Sequence, residues 1–137
     1  MKKGIRGQGS GGATMVQSFR DLIVWQKAIR MAVKVYRLTQ KFPREEIYGL
    51  SSQMRRAAVS VPSNIAEGHG RLGTVEYRQF LGVARGSNFE LQTRLEIARQ
   101  LGMGDAGLLA ETDGLSHEVG KMIFGVLDSI QHKGTKN

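Results

Sequence analysis

The sequence predicts an all-α protein, an antiparallel up-down four-helix bundle whose second helix is kinked at Pro62. Four long segments carry apolar residues at helical spacing, short connections containing glycine or proline join them, and no stretch alternates like a β-strand. The predicted helices span Leu22–Lys41, Glu45–Glu67, Thr74–Leu101 and Asp105–Gln131. Because the connections are short, consecutive helices are expected to lie side by side and to point in opposite directions.

The 137 residues are expected to form one domain with two short ends. Residues 1–17 are predicted to be a flexible, basic, glycine-rich segment with Met15 as an alternative start, residues 18–131 the bundle, and residues 132–137 a basic tail. Cysteine is absent, no apolar run has membrane-spanning length, and the first residues lack the apolar region of a signal peptide. We therefore expect a cytoplasmic protein that does not enter a membrane.

The net charge of +8 is only a weak indication of a polyanionic partner, because most of it lies at the two ends of the chain. Lys2, Lys3, Arg6, Lys133 and Lys136 account for five units of this net charge, which leaves +3 for the body. The distribution of charge therefore matters more than its total.

The first predicted helix carries two apolar stripes whose centres lie roughly 110° apart, at about 100° per residue. One stripe is Leu22, Trp25, Ile29, Ala32 and Tyr36, and the other is Val24, Ala28, Met31, Val35, Leu38 and Phe42. A corner helix of a lone bundle needs only one such stripe, so the second is expected to meet a neighbouring subunit. The residues assigned to this oligomer interface are Val24, Met31, Val35, Leu38 and Phe42.

What remains of the first helix is a narrow basic face with no acid after Asp21. This basic stripe consists of Lys27, Arg30, Lys34, Arg37 and Lys41, spaced alternately by three and four residues. Two interpretations stay open. The stripe is either a solvated helix face or a surface that binds nucleic-acid phosphates without reading base sequence.

The sequences of the other three predicted helices contain residues for which we expect structural roles. Pro62 is expected to bend the second helix, with Ser63 and Asn64 satisfying the backbone groups that the bend frees. The third and fourth helices each carry one core stripe at spacings of three and four residues. Asn88 falls in the middle of the stripe of the third helix, where we expect it to hydrogen-bond to a neighbouring helix and to fix the register.

Four blocks of the sequence are distinctive: FRDLIVWQKA (19–28), FPREEIYGLSSQMRRAAVSVPSNIAEGHGR (42–71), EYRQFLGVARGSNFELQTRLEIARQLG (76–102) and VGKMIFGVLDSI (119–130). Together they resemble a family of bacterial four-helix bundle proteins first noticed as products of intervening sequences in 23S rRNA genes. That family is similar to the accessory variability protein of diversity-generating retroelements, a basic homopentameric barrel that engages nucleic acid and a reverse transcriptase. The resemblance implies a homo-oligomer, with a pentamer expected, and makes RNA or DNA and a reverse transcriptase-like enzyme candidate partners.

Polar residues within these blocks complete the candidate sites. Four arginines join the basic stripe as candidate nucleic-acid-binding residues: Arg55, Arg56, Arg78 and Arg85. Structural polar roles are assigned to Asn64, Glu67, Asn88 and Glu90. We expect a largely buried ion pair between helices that joins Arg55 or Arg56 to one of these two glutamates.

No pattern in the sequence indicates catalysis. His69, His117 and His132 are too scattered for a metal site, no Glu-x-x-His pair exists, and the glycine-rich start lacks the Gly-Lys-Ser/Thr ending of a P-loop. We therefore predict a protein without metal, cofactor or enzymatic activity. Two functions stay open: an oligomeric accessory protein that binds nucleic acid, and an oligomeric scaffold whose partner is another protein. A steep loss of binding with salt would indicate the first.

Overall fold

Four α-helices account for most of the described chain. The computed structural model describes residues 18–135, with side chains up to residue 131. Within that part, α1 spans Ile23–Thr39, α2 spans Leu50–His69, α3 spans Thr74–Leu101 and α4 spans Ala106–Thr135. Two short 3₁₀ helices, Phe19–Asp21 and Arg44–Glu46, precede α1 and α2. The all-α fold predicted from the sequence is confirmed.

The helix ends agree with the prediction to within two residues except at the start of α2 and the end of α4. α3 has the predicted bounds, and α4 begins directly after Asp105, whose Oδ1 accepts a hydrogen bond from the backbone N–H of Leu108 at 2.7 Å. α4 continues to Thr135, so the helix enters the predicted basic tail. α2 starts later than predicted, at Leu50, because the chain first forms a 3₁₀ turn. The predicted flexible segment, residues 1–17, lies outside the described residues.

The helices form a closed ring of neighbours: α1 contacts α2, α2 contacts α3, α3 contacts α4, and α4 contacts α1. This ring is the arrangement of a four-helix bundle. Side-chain pairs give the helix directions, and these are Ser60–Ser87 and Gln53–Arg94 between α2 and α3, and Lys27–Glu118 and Lys34–Glu111 between α1 and α4. In both helix pairs the numbers rise on one helix as they fall on the other, so the two helices run in opposite directions.

The core takes one apolar stripe from each helix, and it corrects the assignment of the oligomer interface. The five residues assigned to that interface are buried within a single chain: Val24, Met31, Val35, Leu38 and Phe42. The assignment is wrong, because a side chain that its own core already covers has no surface left for a neighbouring subunit. The other stripe of α1 points partly outward, and its residues Ile29 and Tyr36 stay exposed.

Pro62 is buried inside α2, close to a small polar cluster. Proline has no N–H to donate to the carbonyl of Ala58, four residues earlier. Asn64 Nδ2 donates to the carbonyl of Ser60 at 2.8 Å and lies 3.0 Å from its hydroxyl, which in turn lies 2.7 Å from the hydroxyl of Ser87 on α3. Asn64 therefore helps to connect α2 to α3, while the kink at Pro62 stays a prediction.

The turn between α3 and α4 closes one end of the bundle over the core. Gly102 and Gly104 have φ angles of 67° and 76°, a region that favours glycine. A Cβ atom on Gly104 would lie 2.8 Å from the ring of Phe42 and 2.9 Å from Cδ1 of Leu38. The turn therefore packs against the end of α1 at a distance that only glycine allows.

If the stripe of Leu38 is core, Leu38→Ala should lower the free energy of unfolding by about 2–5 kcal/mol, since it leaves a cavity at a fully buried position. Leu72 is fully exposed between α2 and α3, so Leu72→Ala is the matched control and should change stability by no more than about 0.5 kcal/mol. Urea unfolding followed by circular dichroism measures both. Equal losses in the two variants would contradict the assignment of this stripe to the core.

Candidate functional site

The basic stripe of α1 faces α4 along part of its length. Lys27 Nζ lies 2.7 Å from Oε2 of Glu118, and Lys34 Nζ lies 3.1 Å from Oε1 of Glu111. The hydrogen bond from Lys27, with smaller contributions from the charges of Lys27 and Arg30, holds the pKa of Glu118 below its ordinary value of 4.5. Two of the five cations assigned to nucleic acid are therefore bound to acids of the same chain.

A signal for these two ion pairs exists in the sequence. Lys27 and Lys34 are seven residues apart, and so are Glu111 and Glu118. Two residues that are seven positions apart lie on the same face of a helix. When α1 and α4 run in opposite directions, both lysines can therefore face both glutamates, the first lysine opposite the second glutamate. The hypothesis of a nucleic-acid stripe did not consider acids on other helices.

The rest of the basic stripe is open to solvent. Arg30, Arg37 and Lys41 are exposed, and none of them forms an ion pair with any residue of the described chain. Like charges at these spacings repel weakly. These three cations are the part of the stripe that could meet an external anion.

The four other candidate arginines are divided between α2 and α3. Arg55 donates from Nε to the hydroxyl of Thr39 at 2.8 Å, and its guanidinium lies 4.8 Å from the ring centroid of Tyr36, so it connects α2 to α1. Arg85 packs in the same way over Phe89 of its own helix, at 5.1 Å. Arg56 and Arg78 are exposed. The structure thus does not gather the nine cations into one site.

The expected buried ion pair between Arg55 or Arg56 and Glu67 or Glu90 is wrong. Both glutamates are exposed and pair with residues close in sequence: Glu67 with Arg71, just after the end of α2, at 2.6 Å, and Glu90 with Arg94 on α3 at 3.7 Å. Residues three or four positions apart in sequence lie closer to an exposed glutamate than residues of the next helix do, so the glutamate pairs with them.

Asn88 has the role that its position in the core stripe predicts. Its side chain has no exposed surface; Nδ2 donates to the carbonyl of Ser116 on α4 at 2.9 Å, and Oδ1 accepts from the Ser116 hydroxyl at 2.7 Å. Gln92 Nε2 also donates to that hydroxyl, at 3.1 Å. The network fixes α3 against α4, because a shift of either helix would leave buried polar groups without partners.

An apolar patch lies on the outer face of α1 and α2. We define the α1–α2 patch as Ile29, Val33, Tyr36 and Val59, with exposed fractions of 37%, 42%, 43% and 41%. The contact of Arg55 with Tyr36 places that side of α1 next to α2, and Val59 lies one turn after Arg55. No resemblance or motif drew attention to this patch, although Ile29 and Tyr36 belong to an apolar stripe that the sequence shows.

A groove lies between α3 and α4 near their connecting turn. It consists of two adjoining pockets of about 390 and 530 Å³ that share Glu96 and Asp113 as lining residues. The first is lined mainly by Leu95, Met103, Ala106, Leu109 and Ala110, and the second by Phe89, Gln92, Thr93, Ile97 and His117. We call this the α3–α4 groove.

The acids of the α3–α4 groove are held by neighbours on their own helices. Bonds from Arg99 and Gln100 lower the pKa of Glu96 to about 2, and Asp113 lies 3.5 Å from Nε2 of His117. Glu96 therefore carries its negative charge at any ordinary pH.

Charge is unevenly divided between the two halves of the bundle. α1 has four cations and no acid, and α2 has two cations and one acid, which gives this half a net charge of +5. α3 has four cations and three acids, and α4 has two cations and four acids, which gives the other half −1. Two of the α1 cations are paired with two of the α4 acids, Lys27 with Glu118 and Lys34 with Glu111, and without these pairs the halves carry +3 and +1. The negative charge near the α3–α4 groove is therefore local and comes from Glu96 and Asp113.

The described side chains offer no built site for metal chemistry, since none of them forms a group of three His, Asp or Glu ligands. Of the histidines, His69 lies edge-on to Tyr77 and His117 pairs with Asp113, whereas the side chain of His132 lies outside the described part. In that part there is also no helix long and apolar enough to cross a membrane.

Comparison with known proteins identifies the family. A family model described as 23S rRNA-intervening sequence protein matches residues 20–125, well over half of the chain. The chain belongs to this family. The resemblance drawn from the four sequence blocks is thereby confirmed, and a search of curated proteins finds no match.

A solved structure shares the fold of this family member. It is a protein of unknown function from the S23 ribosomal protein family of Bacteroides thetaiotaomicron, with a TM-score of 0.69 and 18% sequence identity. The match covers 77% of this chain and 98% of that chain. At this identity the likeness shows the fold alone.

The ion pair of Glu118 should make stability depend on pH. Because its pKa is lower in the folded chain, the pair stabilises the fold above the ordinary carboxyl range, and this contribution is lost as the pH falls through the lowered value. Wild type should therefore be more stable than Glu118→Gln near pH 7, and the difference should shrink as the pH falls below the ordinary carboxyl value of 4.5 and through the lowered one. In a Lys27→Gln background the same substitution should show a smaller pH effect. A difference that stays constant with pH would contradict the pairing.

Proposed function

We propose that this chain is a non-enzymatic, homo-oligomeric scaffold protein. The observation that supports the proposal is the α1–α2 patch, four neighbouring apolar side chains that are each more than a third exposed on a helix pair without a covering partner in the described chain. A contiguous exposed apolar surface of this kind is typical of an interaction site. The cost of hydrating it is removed when another surface covers it.

The proposed occupant of the patch is a second copy of this chain. Arg30, Arg37 and Arg56 are exposed and lie close to the patch in sequence. A partner surface should therefore be apolar with negative charge around it. The α3–α4 groove of each copy is lined mainly by apolar side chains and contains Glu96 and Asp113, so the chain itself supplies a surface of that chemistry. Five copies is the first number to test, since the family resemblance implies a pentamer.

Light scattering at micromolar concentration should give wild type a mass several times that of one chain. Val33→Glu places a charge in the α1–α2 patch and should reduce the mass to one chain, or lower the apparent affinity by at least tenfold, since burying an unpaired charge costs several kcal/mol. Val83→Glu is the matched control, because Val83 is 52% exposed on α3, away from the patch, and it should keep the wild-type mass. A monomeric wild type would rule the proposal out, and so would equal masses for the two variants.

A second candidate function is non-specific nucleic-acid binding, which the exposed side chains of Arg30, Arg37 and Lys41 favour. In an oligomer these cations repeat in every copy, so weak phosphate contacts would add through multivalency. No aromatic ring lies between them in α1 on that face, so base stacking is not expected. RNA or DNA would be the partner, and a reverse transcriptase-like enzyme would be a further one.

The nucleic-acid candidate is tested with two charge-matched double variants. Arg37→Gln with Lys41→Gln should weaken binding to duplex DNA or structured RNA at low salt and flatten the salt dependence, because two phosphate contacts are lost. Arg44→Gln with Lys121→Gln removes the same charge from exposed positions outside the stripe and should bind like wild type. Light scattering on each variant shows whether the oligomer is intact. Equal binding by both variants, or no binding by wild type, rejects this candidate.

A further inference from the structure

We propose that copies of this chain associate head to tail, with the α1–α2 patch of one copy seated in the α3–α4 groove of the next. This inference rests on the proposed self-association and adds the surface that receives the patch. It also decides between two kinds of assembly: a two-fold dimer, which pairs one surface with itself, and a ring or filament, which pairs two different surfaces.

The positions of the two surfaces favour head-to-tail association. In the closed ring of helix contacts, the α1–α2 face and the α3–α4 face are opposite sides of the bundle. Both sides have exposed apolar residues, with Val33 and Tyr36 on one and Phe89 and Ile97 on the other. A two-fold dimer formed through either side leaves the other uncovered, whereas head-to-tail association covers both in every copy except at an open end.

The charges near the two surfaces also favour head-to-tail association. Pairing two α1–α2 faces would bring Arg30, Arg37 and Arg56 near the contact on both sides. Pairing an α1–α2 face with an α3–α4 face would bring these arginines near the acids of the groove, Glu96 and Asp113. Juxtaposed like charges disfavour an interface, so charge favours the head-to-tail arrangement.

The shapes of the two surfaces also match. Ile29, Val33 and Tyr36 follow one another at spacings of four and three residues, so they form a ridge along α1. An apolar ridge on a helix fits a groove that is lined by apolar side chains. Leu95, Leu109 and Met103 line the first pocket of the α3–α4 groove. The small side chains of Ala106 and Ala110 leave the space that a ridge would fill.

The acids of the groove can accept the arginines near the patch without losing their present partners. Glu96 already accepts from Arg99 and Gln100, and Asp113 lies beside His117. A carboxylate has about four acceptor positions on its two oxygens, so each can accept further N–H groups from an incoming guanidinium. The incoming arginines would then replace water at acids that stay charged.

Mixing two blocked variants tests the inference. Val33→Glu blocks the patch, and Ala110→Arg blocks the groove with bulk and positive charge. Under head-to-tail association each variant alone should be monomeric. An equal mixture should give a mass of two chains and no higher, because only the intact groove of one and the intact patch of the other can pair. Ser129→Arg adds the same charge at an exposed position of α4 outside the groove and should keep the wild-type mass.

The outcomes separate the inference from the proposed function. If wild type is monomeric, self-association fails and the inference fails with it. If wild type is oligomeric but Ala110→Arg keeps the wild-type mass, only the head-to-tail inference is overturned. Circular dichroism on both variants shows that each is folded before the masses are compared.

Disulfide trapping gives a second test that does not depend on disruptive substitutions. The chain has no cysteine, so a cross-link can form only between introduced ones. Under mild oxidation a mixture of Val33→Cys and Ala110→Cys should form a dimer between the two variants, while Val33→Cys alone should form little. Efficient cross-linking of Val33→Cys to itself, with none to Ala110→Cys, would show that two patches face each other and would overturn the inference.

Discussion

The structure depends on the need to cover an unusually wide apolar arc on α1. Met31, Val35 and Leu38 lie on one side of this arc and are fully buried in the core of the bundle. Ile29, Val33 and Tyr36 lie on the other side, where they are only partly covered and stay exposed. A bundle of four helices can bury one stripe per helix, so the remainder of the arc stays at the surface and gives the protein its apolar patch.

Because α1 is apolar over so much of its surface, its charges are confined to a narrow strip, and none of them is an acid. α4 compensates at Glu111 and Glu118, which bind Lys34 and Lys27. These pairs are partly exposed, so each contributes little to stability, but together they favour one register of α1 against α4. They also reduce the positive charge that the strip offers to a nucleic acid. The same composition that creates the patch therefore weakens the case for a phosphate-binding stripe.

The sequence predicts the number and bounds of the helices well, because periodicity and glycine or proline stops are local signals. Asn88 is predicted for the same reason: a polar residue within a core stripe has to find a partner on the neighbouring helix. Whether a stripe faces the core or the solvent is not determined by the local sequence. Periodicity shows that Val35 and Ile29 lie on different faces of α1, but which face meets the core depends on α2 and α4. That is why the interface was assigned to the wrong stripe, and why Arg55 bonds to Thr39 rather than to a glutamate.

The interior also bears on where function can reside. Several of its buried polar side chains, including Asn88, Ser116, Ser87 and Thr112, hydrogen-bond within or between helices. Polar groups engaged in this way hold the helices together and are poorly placed to act on a substrate. The outer surface of the described chain carries an apolar patch near cations on one face, and on the opposite face an apolar groove that contains acids. Two complementary surfaces on opposite faces of a rigid bundle are what a subunit needs to join copies of itself, and for this reason we look for the function of the protein in the assembly.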